Sequence, residues 1–166
     1  INAMSEVPTL VHNGQSLGQS MAIIEYLDEV FPQSPLFPKD PIKKAKIRQF
    51  CENINSFMHP VCNLKVMQYL EKTHGYDQKQ KEAWISMWSL KGYQALEKIL
   101  SKEAGQYCFG DTLTTADLFL VPQIFSSLRF SVPLQGFAHC LRVNKNCLEL
   151  EAFKKAHPLA QVDTPT

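Results

Sequence analysis

The chain has 166 residues, 45% of them hydrophobic and 20% charged, with a formal net charge of +1. Such a composition belongs to a folded globular protein with material for one sizeable core or two small ones. It argues against a general polyanion-binding surface, and no apolar run reaches the length that a bilayer crossing requires, so neither nucleic acid nor membrane is expected as a partner. The five cysteines, Cys51, Cys62, Cys108, Cys140 and Cys147, contain no Cys-X-X-Cys pair, which points to free thiols in a reducing compartment.

Val7 to His12 reads as a strand, Asn13-Gly14 as a type I′ turn, and Gln15-Ser16-Leu17 as the returning strand. From Gly18-Gln19-Ser20 the spacing becomes helical as far as Phe31. Ile23, Leu27, Val30 and Phe31 share one face, and Glu25, Asp28 and Glu29 the other. Ser20 stands where that helix begins and its unpaired backbone N–H groups converge, a place that favours a carboxylate. Four prolines between Pro32 and Pro41 predict a stiff linker and a domain boundary.

Asp40 and Pro41 have the types expected at the cap and first position of the next helix. Its basic residues Lys43, Lys44, Lys46 and Arg48 read as a solvated face. The apolar stripe Phe50, Ile54, Phe57, Val61, Leu64, Met67 and Leu70 predicts one continued helix, bent at His59-Pro60. Gly75 ends it, and Asp77 with Gln80 forms a capping box for a helix whose predicted core face is Trp84, Met87, Trp88, Leu96 and Ile99. Gly92 there would admit another backbone. Thr114 and Asp117 form a second capping box, flanked by Leu113 and Leu118 as a staple, at the head of a buried helix from Ala116 to about Leu128. Asp117 is expected to be structural rather than catalytic, because it accepts backbone N–H bonds. Helices near Leu141 to Leu148 and Glu151 to Ala156 follow, then a polar tail from Pro158. No repeat or low-complexity segment is present.

Val7-Pro8, a hairpin, and Gln19-Ser20 opening a helix resemble the second half of the glutathione-binding domain of glutathione transferases, and the Thr114–Asp117 box resembles that of their helical domain. Ile1-Asn2-Ala3-Met4-Ser5 is similar to the Asn-Pro-Met-Gly that precedes Val-Pro in that family, with Ala3 and Ser5 replacing Pro and Gly. Longer strings resemble the zeta class, the maleylacetoacetate isomerases. They include Gln19 to Leu27, His59 to Leu64, Ala116 to Gln123, Leu128-Arg129-Phe130, Glu151-Ala152-Phe153 and His157-Pro158. The fold implied is α+β overall and mostly α: a partial thioredoxin-like domain over residues 1–31, a linker over 32–41, and an all-helical domain over 42–166.

The resemblance implies glutathione as cofactor and a cis–trans isomerisation of an unsaturated diketo dicarboxylic acid, maleylacetoacetate to fumarylacetoacetate, in tyrosine and phenylalanine breakdown. A thiolate adds to the double bond, the product rotates about the resulting single bond, and the thiolate leaves. It also implies a cis Val7–Pro8 peptide, Val7, Pro8, Gln19 and Ser20 as glutathione contacts, and His59 and Asn63, four apart on one helical face, lining the cleft. Arg129 would meet a substrate carboxylate or else pair with an acidic side chain at a helix end. His59 would line the cleft or bond a carbonyl at the proline break, and Cys62 would be a buried or cleft-lining thiol; no metal site is expected. The thiol-activating serines and cysteine of the class are expected upstream of Ile1, so no catalytic residue is assigned within this chain. The chain is read either as a fragment or as a shortened relative. A cytoplasmic homodimer is expected, with glutathione conjugation or a noncatalytic interaction module as the alternative roles.

Overall fold

The computed structural model describes residues 2–162; Ile1 and the end of the predicted polar tail, 163–166, lie outside the described residues. β1 (Thr9–His12) and β2 (Gln15–Gly18) pair antiparallel, Thr9 opposite Gly18 and His12 opposite Gln15. Asn13 and Gly14 both have positive φ, 49° and 75°, as the type I′ turn requires. Ahead of β1, the Asn2 side chain folds residues 2–6 into a loop. Its Oδ1 accepts the Met4 and Glu6 N–H groups, and its Nδ2 donates to the Glu6 carbonyl. Ser5 sits at φ 54°, the left-handed region that suits the glycine found there in the family pattern. The Val7–Pro8 peptide is cis.

α1 (Ser20–Val30) buries Ile23, but the rest of its predicted stripe is less covered than the periodicity suggested. Val30 and Phe31 are exposed, Phe31 by 53%, with its ring tilted against His12. Two strands of four residues offer too little surface to cover the far end of an eleven-residue helix. The proline-rich segment that follows is anchored. The Leu36 N–H donates to Asp28, the Leu36 carbonyl accepts the Thr115 N–H at 3.1 Å, and Phe37 is buried beneath Lys44 and Arg48.

α2 (Pro41–Glu52) starts as expected, with the Asp40 side chain accepting the Lys43 N–H at 2.7 Å. Its basic face is partly engaged: Lys46 pairs with Glu103 and Arg48 with Glu25, each at 2.6 Å. The single bent helix expected up to Leu70 is corrected by the structure. A π-helical turn occupies Asn53–Met58, α3 is only His59–Val61, and the chain breaks at Cys62-Asn63 before α4 (Leu64–His74). Pro60 has no N–H, and its ring needs room against the preceding turn. The widened turn supplies that room, and the His59 N–H reaches five residues back to the Ile54 carbonyl. Asn63, in extended conformation, caps α4 by accepting the Val66 N–H at 3.1 Å. The break resets the helical phase, so Leu64, predicted buried, is exposed.

α5 (Gln78–Glu103) carries the predicted Asp77–Gln80 capping box, and Gly75 closes α4 at φ 68°. Its core face is rotated from the predicted one: Ile85, Ser89, Gly92, Tyr93, Leu96 and Leu100 are buried, Trp84, Trp88 and Ile99 flank them, and Met87 is exposed. Gly92 admits a side chain rather than a backbone, since a Cβ there would collide with Met58. α6 (Thr115–Arg129) crosses the middle of the bundle, with α7 (Ala138–Leu148) and α8 (Glu151–Ala156) behind it. At its head Asp117 is wholly buried and accepts the Thr114 and Cys108 N–H groups at 2.8 Å each and the Thr114 hydroxyl at 3.1 Å. Those three bonds offset the cost of removing the carboxylate from water and give it a structural task.

Candidate functional site

A cleft of about 830 Å3 opens between the hairpin region and the bundle. One wall is the loop from Asn2 to Pro8 together with Gln19 and Ser20; the other is Asn55, His59, Asn63 and Lys65. Gln19, at φ 69°, turns the chain from β2 into α1, and α1 has no side-chain cap. Its first i to i−4 bond is Ile23 N–H to the Gln19 carbonyl, so the Ser20, Met21 and Ala22 N–H groups have no helical acceptor. An uncapped helix start beside the Ser20 hydroxyl provides donors and a partial positive charge suited to a carboxylate.

A second, smaller groove of about 390 Å3 continues inward and shares Pro8, Ser20, Asn55 and His59 with the first. Its walls are mostly apolar: Ile23 and Ile24 from α1, Ile54 from the π turn, and Leu118, Phe119 and Pro122 from α6. The two spaces share four residues and adjoin, the outer more polar than the inner, and each is of a size ordinary for a small organic ligand.

Val7, Pro8, Gln19, Ser20, His59 and Asn63 thus meet at one cleft. His59 is exposed at the junction of the two spaces, and among the described residues no carbonyl accepts its ring N–H. The expectation that His59 and Asn63 share one helical face is corrected. α3 ends at Val61, and Asn63 reaches the cleft as the cap of α4, with its Oδ1 committed to Val66. Arg129 is exposed at the end of α6, outside the residues that line either space. Leu118, Pro122 and Ser126 line the inner groove at intervals of four, and Arg129 follows one turn further along that row. Cys62 lies away from the cleft, its Sγ 4.0 Å from the Ser89 hydroxyl.

Asn55, Glu6 and Lys65 join the site without having been singled out in the sequence. Lys65 and Glu6 form an ion pair across the cleft mouth. No local pattern marks them, because they are brought together only when the loop before β1 packs beside the start of α4. Asn55 depends on the π turn, whose widened pitch no apolar spacing announces. Burial raises the thiol of Cys62 and pushes Cys51, Cys108 and Cys140 well up, and Cys147 up to about 12, so all five stay protonated near neutrality and none is an activated nucleophile. Among the described residues there is no cluster of three metal-ligating side chains, and no helix is long and apolar enough to cross a membrane.

Comparison with known proteins places this geometry. Residues 1–35 match the glutathione S-transferase N-terminal domain family, and residues 55–158 match the glutathione S-transferase C-terminal domain family. The chain is 41% identical over 165 residues to a probable maleylacetoacetate isomerase of Drosophila melanogaster, covering 99% of this chain and 65% of that protein. It is 40% identical to the maleylacetoacetate isomerase of Rattus norvegicus, covering 99% and 74% respectively. A solved maleylpyruvate isomerase, described as a bacterial zeta-class glutathione S-transferase, superimposes with a TM-score of 0.96 at 38% identity over 99% of this chain and 78% of its own. The maleylacetoacetate isomerase of Anaeromyxobacter dehalogenans superimposes with a TM-score of 0.89 at 36% identity, over 98% and 74% of the two chains. That structure holds dicarboxyethyl glutathione and citrate in its active site. With a hairpin and helix leading into an all-helical bundle, and with both family domains matched in order, the chain belongs to the zeta class of the glutathione S-transferase family.

Proposed function

We propose that this chain serves glutathione-dependent cis–trans isomerisation of a maleylacetoacetate-type substrate to its fumaryl isomer. The observation that carries the reading is the uncapped start of α1, with Gln19 and Ser20, opening on the same cleft as Val7, Pro8, His59 and Asn63. The free N–H groups at Ser20, Met21 and Ala22 and the Ser20 hydroxyl fit the γ-glutamyl carboxylate of glutathione, and the main chain at Val7 runs along the same wall. The cleft is large enough for the tripeptide, with the inner groove left for the second ligand. Bound glutathione supplies a thiol able to add to a conjugated double bond and leave again, which none of this chain's own raised thiols offers.

The chain's residues then orient and shield. Ile23, Ile24, Ile54, Leu118 and Phe119 exclude water from the inner groove, which strengthens every polar contact made there. His59 stands where the two spaces meet and can donate to charge that develops on a substrate oxygen. Arg129, one turn beyond the groove and without an acidic partner among the described residues, is the planar donor for a substrate carboxylate. We further propose a homodimer, a reading supported by exposed Tyr69 on α4 and Met87 on α5, and a cytoplasmic location, in keeping with five free cysteines.

Calorimetric titration with glutathione, followed by a maleylacetone isomerisation assay on the protein carrying this chain, tests the reading. Glutathione is expected to bind, and Ser20→Ala to weaken it about tenfold, the size of one lost hydrogen bond to a charged group, with an unchanged melting temperature. No measurable binding, or turnover that does not depend on glutathione, would refute it.

A further inference from the structure

The inner groove is apolar along most of its wall, yet α6 places Gln123 on it, and Gln123 is only 5% exposed. The carboxamide is held from behind. Its Nε2 donates to the Ser127 hydroxyl at 3.4 Å, one turn along α6, and Ser127 also accepts the Tyr93 hydroxyl of α5 at 3.0 Å. Burial raises the Tyr93 phenol well above its ordinary value, the Ser127 bond opposing this, so it stays an O–H donor. A carboxamide has two N–H donors and an oxygen acceptor, and only one donor is used here. Its Oε1 has no bond within the described chain, yet it is not sealed in: the sealed, unpaired side-chain polar atom among the described residues is Trp88 Nε1. The free end of Gln123 therefore opens on the groove. Half-used hydrogen-bonding capacity in an apolar wall is costly unless a ligand completes it.

We propose that Gln123 recognises the keto and enol oxygens of a diketo acid lying in the inner groove. The assignment rests on the reading that such an acid binds there. A β-diketone in its enol form presents one O–H donor and one carbonyl acceptor. Gln123 has an acceptor and a donor free to meet them, and an isosteric apolar ligand would leave both unpaired. Ser127 and Tyr93 are positioning residues, because they fix which way the carboxamide faces without touching the ligand.

The test is calorimetry on the chain with glutathione present, comparing 2,4-dioxopentanoate with pentanoate, which has the same carbon chain and carboxylate but no keto oxygens. The wild type is expected to prefer the diketo acid by about tenfold or more, as sites built to hydrogen-bond a ligand do. Gln123→Leu, similar in volume, is expected to bring the ratio to about one while pentanoate affinity is unchanged. Gln123→Glu loses the donors but keeps an acceptor and should fall between. Ser127→Ala should lower the ratio partway, which a role confined to packing would not do. The glutathione titration separates the two claims. If glutathione fails to bind the wild type, the functional reading fails. If it binds and the diketo preference is absent in the wild type or intact in Gln123→Leu, the assignment of Gln123 is overturned alone.

Discussion

In the bundle, Phe50, Tyr93, Leu96, Leu100 and Val143 are fully buried, whereas among the described hydrophobic residues before the proline-rich segment Ile23 alone is buried, and Val7, Val11 and Phe31 stand in solvent. The cleft lies along the seam between these unequal regions, with the free N–H groups of α1 on the sparsely packed side and its apolar groove wall largely on the dense one. A rigid bundle can hold Gln123 and the α6 row in place whether or not a ligand is present. Within the residues described, the hairpin and α1 have fewer buried contacts to fix them.

Breaking the dense side should have the largest effect. Asp117→Ala leaves the Cys108 and Thr114 N–H groups unpaired in the core, and we expect a loss of about 3–5 kcal/mol in urea unfolding. Glu97 sharpens the comparison at the edge of the bundle, where its carboxylate accepts the His139 and Cys140 N–H groups at 2.8 and 3.0 Å and so caps α7 from α5. Burial pushes its carboxyl upward, but these bonds outweigh that and hold it below its ordinary value. A carboxyl lowered on folding contributes its stability above its unfolded pKa, about 4.3, and loses it as pH falls through the folded value. Glu97→Ala should therefore cost about 1–3 kcal/mol at pH 7 and progressively less on acidification below about pH 4, read from urea unfolding at several pH values. The smallest effect is expected on the sparse side. Phe31→Ser, on an exposed ring, should change unfolding free energy by less than about 0.5 kcal/mol; a loss above about 2 kcal/mol would mean that this face is covered in solution.

The parts of the fold legible in the sequence were those governed by neighbours in the chain. Asn13-Gly14 makes its turn because two adjacent residues must adopt positive φ. Asp77 with Gln80 and Thr114 with Asp117 join partners three residues apart. The open helix start at Ser20 follows from the same short-range rules, and it lies on the cleft. The π turn before Pro60, the break at Asn63 and the rotated face of α5 could not, because apolar spacing alone does not reveal a change of helical pitch or phase. Glu6 and Lys65, 59 residues apart, carry no local mark of their pairing.

By itself the sequence determined the hairpin, the capped starts at Asp40, Asp77 and Thr114, the presence of a long helical region and the family, all of which depend on residues at fixed short offsets or in ordered strings. Only the tertiary structure decided which side chains share the cleft, that Asn63 caps a separate helix, and that Gln123 opens on an apolar groove. These depend on how helices lie against one another, and packing sums many small contacts between distant positions, which no single stretch of chain contains.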